Sequence, residues 1–278
     1  MKGYANPELL LTPRTLAAAL EQGLSARALI LDMRPPDAYV AGHIPGAIHL
    51  DLWGVSLVDT DPAPLQAFMW MIEHVLAIHG VDAATSIIVY DEQSGVRAAR
   101  AFWFLEYFGH PSVQMLDGGF NAWIAEGLPV TRDAAPARPS EWTGHRHDEK
   151  VATWKDVRSA IGDAGAVILD TRTDGEYLGR TIRAKRGGAV PGAVHIEWTR
   201  NLTESGDFKP AAELTRMYAD AGVTPDRQVI TYCQGGYRAA HSYVALRLLG
   251  YRRIRVYVGS WKEWGDRAGL PVEVPKPN

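Results

Sequence analysis

The sequence predicts an α/β protein made of two tandem domains, each a mostly parallel sheet flanked by helices. Two observations predict it. Short, β-branched apolar runs alternate with segments of helical spacing, and one series of blocks is written twice in the same order. Residues 28–32 (ALILD) recur as 166–170 (AVILD), and an arginine follows each after one residue, Arg34 and Arg172. Residues 44–49 (IPGAIH) recur as 190–195 (VPGAVH), and 87–90 (IIVY) as 228–232 (QVITY). Residues 116–120 (LDGGF) pair with 257–261 (YVGSW), and 127–130 (GLPV) with 269–272 (GLPV). Two copies at so long a period indicate domain duplication rather than a solenoid. The proline-bearing stretch 132–140 reads as the linker, which places one domain at 1–138 and the other at 139–278.

Within each half the elements follow from local chemistry. Thr12 before Pro13 is an N-cap followed by a proline at the first helical position, and Thr153 caps the helix that follows it. The runs ending at Asp32, Tyr90, Asp170 and Tyr232 are nearly continuous in apolar character, as strands buried on both faces are. Residues 97–108 and 238–249 are helical in spacing and stop at Gly109 and Gly250. His49 and His195 occupy equivalent positions in both copies and are expected to be structural, as are the recurring Trp123 and Trp264.

Composition narrows the function classes. Lys plus Arg number 29 against 32 Asp plus Glu, a formal charge of −3 that gives no support for a nucleic-acid or membrane-surface partner. No apolar run approaches the roughly 18 residues of a membrane helix, and residues 1–11 lack the apolar centre of a secretion signal. The single cysteine, Cys233, rules out an intrachain disulfide and a cysteine-rich zinc site. A lone thiol suits a reducing cytoplasm, and two domains covering one another suit a monomer.

Where the copies differ, chemistry emerges. In the second, the strand ending at Tyr232 runs into Cys233, Gln234, Gly235, Gly236, Tyr237 and Arg238, and a helix begins. Open α/β sheets bind ligands at such strand-to-helix turns. The paired glycines let the backbone turn sharply and aim N–H groups inward, which with the helix terminus favours a thiolate and an anion beside it. The expected thiol pKa lies below about 8.5 by one to several units. Arg238 adds positive charge or braces the loop. An incidental cysteine in a glycine-rich turn is the bland alternative, and the paired glycines and arginine weigh against it. The matching loop of the first copy, residues 91–97, has Asp91 in the thiol's place and one residue more. An aspartate cannot act as a thiol does and its charge would repel an anion, so the first copy is expected to be silent and to supply one wall of an interdomain cleft.

With these blocks in order, in both copies, and a silent first loop beside an active second one, the chain resembles the tandem-domain rhodanese family from about Thr12 to Val274. The resemblance implies a thiosulfate or 3-mercaptopyruvate sulfurtransferase, without metal or organic cofactor, that carries sulfur from a small anionic donor to cyanide or a thiol as a Cys233 persulfide. It also implies basic residues beside the cysteine. Arg172 matches one family position, but the second arginine expected four residues on is Glu176, so Arg183, Lys185 and Arg186 become candidates. The loop is more similar to bacterial thiosulfate-preferring members, with bulky Gln234 and Tyr237 beside the sulfur. Rhodanese-related phosphatases place five residues between cysteine and arginine, whereas here four intervene. A non-enzymatic relay or protein-binding module is the alternative of another class.

Overall fold

The computed structural model describes residues 2–23 and 28–276. The first half runs β1 (Leu10–Leu11), α1 (Pro13–Glu21), β2 (Ala28–Asp32), α2 (Pro36–Ala41), β3 (Ile48–His49), α3 (Pro62–Ile78), β4 (Ser86–Tyr90), α4 (Val96–Tyr107), β5 (Val113–Leu116) and α5 (Gly119–Ala125). The second half repeats it as β6 (Val151–Ala152), α6 (Trp154–Ala160), β7 (Ala166–Asp170), α7 (Asp174–Tyr177), β8 (Val194–His195), α8 (Ala211–Asp220), β9 (Gln228–Tyr232), α9 (Tyr237–Leu248), β10 (Ile254–Tyr257) and α10 (Ser260–Trp264). Each half forms a five-stranded sheet, ordered β1-β5-β4-β2-β3 and β6-β10-β9-β7-β8, and every pairing is parallel. The central registers match, with Asp32 opposite Tyr90 and Asp170 opposite Tyr232.

The helix boundaries follow from their caps. Thr12 and Thr153 accept hydrogen bonds from Thr15 N–H and Asp156 N–H, and the Asp156 carboxylate accepts in turn from Thr153 N–H in a capping box. Behind α4 and α9, Gly109 (φ 70°) and Gly250 (φ 85°) take the left-handed conformation that closes a helix end. The two helices begin one residue earlier than the spacing alone predicts.

The halves are not independent globules. Helices α4 and α9 pack along each other through Ala98, Ala99, Ala239 and Ala240, whose small side chains allow close approach, and one buried core runs from Val89 and Phe102 through to Tyr243 and Val229. Smaller clusters fill the outer face of each sheet, around Trp123 and Trp264. Both indoles donate to a proline carbonyl, Pro129 and Pro271, which accounts for the repeated GLPV blocks. The N-terminus clasps the second half: Tyr4 Oη donates to Phe208 and Lys209 carbonyls, and Asn6 Nδ2 to Arg247. The connecting chain beyond Pro139 stays on the first half, where Ser140 N–H bonds Ala77 and His147 N–H bonds Tyr107.

One polar motif is built twice inside these cores. Arg172 bonds both carboxylate oxygens of Asp170, its Nη2 also reaches Gly188 O at 2.7 Å, and Tyr232 Oη donates to Asp170. Arg34, Asp32, Gly42 and Tyr90 repeat the arrangement. His49 and His195 bond the carbonyls of Arg34 and Arg172 respectively, the same structural job in each half. With Asp170 fully buried, its pair is expensive to break from one side only. Asp170→Ala should lower stability by about 3–5 kcal/mol in urea unfolding, and the double replacement Asp170→Leu with Arg172→Met should recover most of that loss.

Candidate active site

The loop between β9 and α9 is held from behind by the start of α10. Cys233 N–H donates to Ser260 Oγ (3.1 Å), which itself donates to Tyr257 O. Trp261 N–H donates to Cys233 O and Lys262 N–H to Gln234 O. Ser260 has φ 52°, the one non-glycine residue with positive φ among those described. That conformation costs on the order of 1–3 kcal/mol, and here it aims Oγ at the cysteine amide. The equivalent residue of the first half is Gly119 (φ 59°), which carries no such hydroxyl. Gly236 (φ 92°) turns the chain into α9, and its N–H points at Cys233 Sγ, 3.1 Å away.

These donors decide the ionisation of the thiol. Burial pushes the Cys233 pKa up, but the Arg238 charge and the N–H groups of Ala239, Gly235 and Gly236 outweigh it and leave the thiol below its ordinary value. Arg238 is held in place by Glu176, whose two oxygens accept from Nη1 (2.5 Å) and Nη2 (2.9 Å). Burial of Glu176 opposes its ionisation, yet Arg238 and the Thr173 donors hold its pKa down at about 2. The residue that departs from the family pattern therefore orients the active arginine; the loop is braced and charged together.

The first half fills the same cradle with its own side chain. Asp91 is buried, and its carboxylate accepts from the N–H groups of Gly95, Arg97 and Ala98. Burial pushes its pKa up to about 7 against the pull of those donors. The carboxylate faces inward, so the N–H donors of this loop are already taken by its own side chain.

Cys233 lies at the floor of a cavity of about 560 Å³ between the halves. Trp53, Gly54, Ser56 and Val96 come from the first half; Arg183, Trp198, Gln234, Gly235, Tyr237, Arg238 and Lys262 from the second. A larger cavity of about 660 Å³, between Met69 and Arg255, holds no nucleophilic cysteine, and its Arg255 and Asp156 are paired with each other. Of the basic residues singled out from sequence, only Arg183 and Arg238 line the cysteine pocket. Arg172 as a donor-binding residue is corrected: it is 1% exposed and committed to Asp170, with its guanidinium over the Trp261 ring. Arg186 is corrected likewise, because its donors bond the carbonyls of Gly265, Leu270, Trp264 and Arg267. Lys185 is exposed and lies outside the pocket lining, its backbone N–H bonded to Asp266. Tyr237 turns from the sulfur and donates its hydroxyl to Leu52 O and Val55 O. Gln234 Nε2 donates to Arg183 O.

Sequence reasoning missed Ser260, Arg100, Lys262, Trp53, Ser56 and Trp198. Ser260 had a signal, since the repeat aligns it with a glycine. Arg100 had one as well, as a charge within an apolar helical run. Trp53 and Ser56 had none, because only the docking of the halves brings them to the cysteine.

A buried cysteine on an amide-lined strand-to-helix turn, in the second of two duplicated α/β units, defines a class. The chain belongs to the rhodanese family: the model of the rhodanese-like domain matches residues 12–126 and again 153–267. It is similar to the thiosulfate sulfurtransferases of Pseudomonas aeruginosa, 33% identical over 99% of this chain and 100% of that one, and of Azotobacter vinelandii, 34% identical over the same shares. A sulfur carrier protein of Thermus thermophilus is 32% identical over 97% of this chain and 98% of its own. In fold it matches an anaerobic ergothioneine biosynthesis enzyme from Chlorobium limicola with a TM-score of 0.86, at 20% identity, covering 99% of this chain and 72% of that one. The protein is a rhodanese-family sulfurtransferase. No helix among the described residues is long and apolar enough to cross a membrane.

Arg238→Met removes the charge that offsets burial of the thiol. The pH midpoint for alkylation of Cys233 by iodoacetamide should rise by about one unit, equivalent to about 1.4 kcal/mol, and reactivity below that midpoint should fall in proportion.

Proposed function

We propose that the protein transfers sulfane sulfur from thiosulfate to cyanide or a thiol through a Cys233 persulfide. The observation that carries this is the Cys233 sulfur held under the Gly236 N–H beside Arg238, at the floor of a cavity open to small anions. The thiolate attacks the outer sulfur of thiosulfate, the S–S bond of the donor breaks, and sulfite leaves with the electron pair. The acceptor then attacks the outer sulfur of the persulfide, and the Cys233 thiolate is the leaving group. Each step leaves an anion where the loop N–H groups and Arg238 already stand, so the cradle needs no rearrangement between half-reactions.

Arg183 and Lys262 are exposed at the mouth and supply positive charge for a dianionic donor. Arg238 is neutralised in part by Glu176, whose Oε1 also lies 3.7 Å from Arg183 Nη1, so Lys262 is the mouth cation with no carboxylate partner among the described residues. Preference for thiosulfate over 3-mercaptopyruvate is supported by the names of the Pseudomonas and Azotobacter relatives and by the loop's character. The acceptor side is wider than cyanide requires, and the indoles of Trp53 and Trp198 give it an apolar lining suited to an organic thiol.

Cys233→Ser should abolish turnover with every donor while the protein stays folded, and thiosulfate treatment of the native protein should add one sulfur atom to the Cys233 peptide in mass spectrometry. A peptide that gains nothing from any donor would instead favour a non-enzymatic binding role. Steady-state kinetics should give a higher kcat/KM for thiosulfate than for 3-mercaptopyruvate; the reverse ratio would assign the donor to mercaptopyruvate.

A further inference from the structure

We infer that Arg100, on α4 of the silent half, is a positioning residue for the active loop and the buried counter-cation of the Cys233 thiolate. This rests on the reading of Cys233 as an ionised nucleophile. Arg100 is 1% exposed, and its Nη1 donates across the domain interface to Gly236 O at 3.1 Å. Nε and Nη2 are buried and have no hydrogen-bond partner among the described residues. No carboxylate pairs with it among the described residues; its guanidinium lies over the rings of Phe104 (4.5 Å), Trp103 (5.3 Å) and Tyr237 (5.4 Å).

A buried cation without a carboxylate is costly unless another anion stabilises it. The anionic forms that could do so are those of Tyr237 and Cys233. Burial pushes the Tyr237 pKa up, so that group stays a neutral phenol. The thiolate remains, and after sulfur transfer the persulfide anion takes its place. Burial lowers the pKa of Arg100 to about 10, which leaves it charged at neutral pH.

The contact also has a geometric consequence. Gly236 O accepts from Arg100 and from Ala240 N–H in the first turn of α9. In a trans peptide the N–H points opposite to the C=O. Fixing that carbonyl toward α4 therefore aims the Tyr237 N–H away from it, off the open end of the helix. Gly236, at φ 92°, sits where glycine is favoured, and a Cβ there would also stand 2.3 Å from Arg100 Nη1.

The duplication supplies an internal comparison. The position equivalent to Arg100 in the second half is His241, whose Nε2 lies 2.8 Å from Ser94 O in the silent loop. Each helix thus sends one side chain across the interface to hold the other half's loop. Burial lowers the His241 pKa to about 4, so the silent loop meets a neutral ring, whereas the active loop meets a cation. Among the described residues, the other charged or titratable groups at the pocket are Arg238 with Glu176, Tyr237, and the exposed Arg183 and Lys262, all from the second half; Asp51 of the first half, which acts on Tyr237, is paired with Arg97.

The test is the pH dependence of Cys233 alkylation by iodoacetamide, read in the full-length protein, where a single thiol makes the signal unambiguous. Arg100→Met should raise the midpoint by at least half a pH unit and lower kcat for thiosulfate about tenfold, with a KM change under threefold. Arg100→Lys should restore more than half of the midpoint shift. His241→Gln, which disturbs the mirror contact, should leave the midpoint in place. An unmoved midpoint in folded Arg100→Met overturns the assignment, and so does an equal shift in His241→Gln. If Arg100→Met does not fold, Arg100→Gln is read by the same criterion, and a wild-type midpoint there overturns it. Because alkylation needs no sulfur donor, failure of the thiosulfate reading would leave this result standing or falling by itself.

Discussion

Four successive backbone groups at the start of a helix have no partners within it, and at this protein's two equivalent turns that shortage is met in opposite ways. At the head of α4 the Asp91 carboxylate fills the ring of N–H donors. At the head of α9 the side chain in that place is a thiol, and Gly236 N–H points at its sulfur. A strand-to-helix turn of this kind demands an anion. Supplying a carboxylate yields a structural cap, and supplying a sulfur yields a thiol whose ionisation the fold favours. The buried cores, the clamps from α10 and the docking of the halves all serve to keep that second turn in shape.

The interface explains what the first half adds to the cysteine pocket. The first half contributes Trp53, Gly54, Ser56 and Val96 to the pocket, and its loop carbonyls at Leu52 and Val55 accept the Tyr237 hydroxyl. A cleft admits small reactants and restricts large ones. The half without a nucleophile is therefore part of the site in space, though not in sequence.

Charge is distributed with the same economy. The core pairs Asp32–Arg34 and Asp170–Arg172 lie beneath the two sheets' carboxyl ends and hold the loops that follow β2 and β7. Their burial and mutual bonds leave them unable to meet a ligand, although Arg172 lies near the active loop in sequence pattern. Glu176 replaces the arginine that the family pattern suggested, and the consequence is a bidentate partner for Arg238 instead of a second free cation. The exposed cations that line the pocket are then Arg183 and Lys262.

The duplication, the α/β class, the strand and helix positions and the place of the one cysteine at a strand-to-helix turn were legible in the residues alone. They depend on local rules: apolar period, capping residues, glycine at turns, and one thiol placed where a strand meets a helix. What the chain order could not express is which cations face the sulfur. Arg172 and Arg186 have the right residue type and the wrong partners, because carbonyls and carboxylates distant in sequence claim their donors first. Arg100 and Trp53 reach the site only through packing of α4 against α9, a contact between segments more than a hundred residues apart. Hydrogen-bond competition and domain docking are properties of the folded whole, and they alone decided the charge and the walls of this pocket.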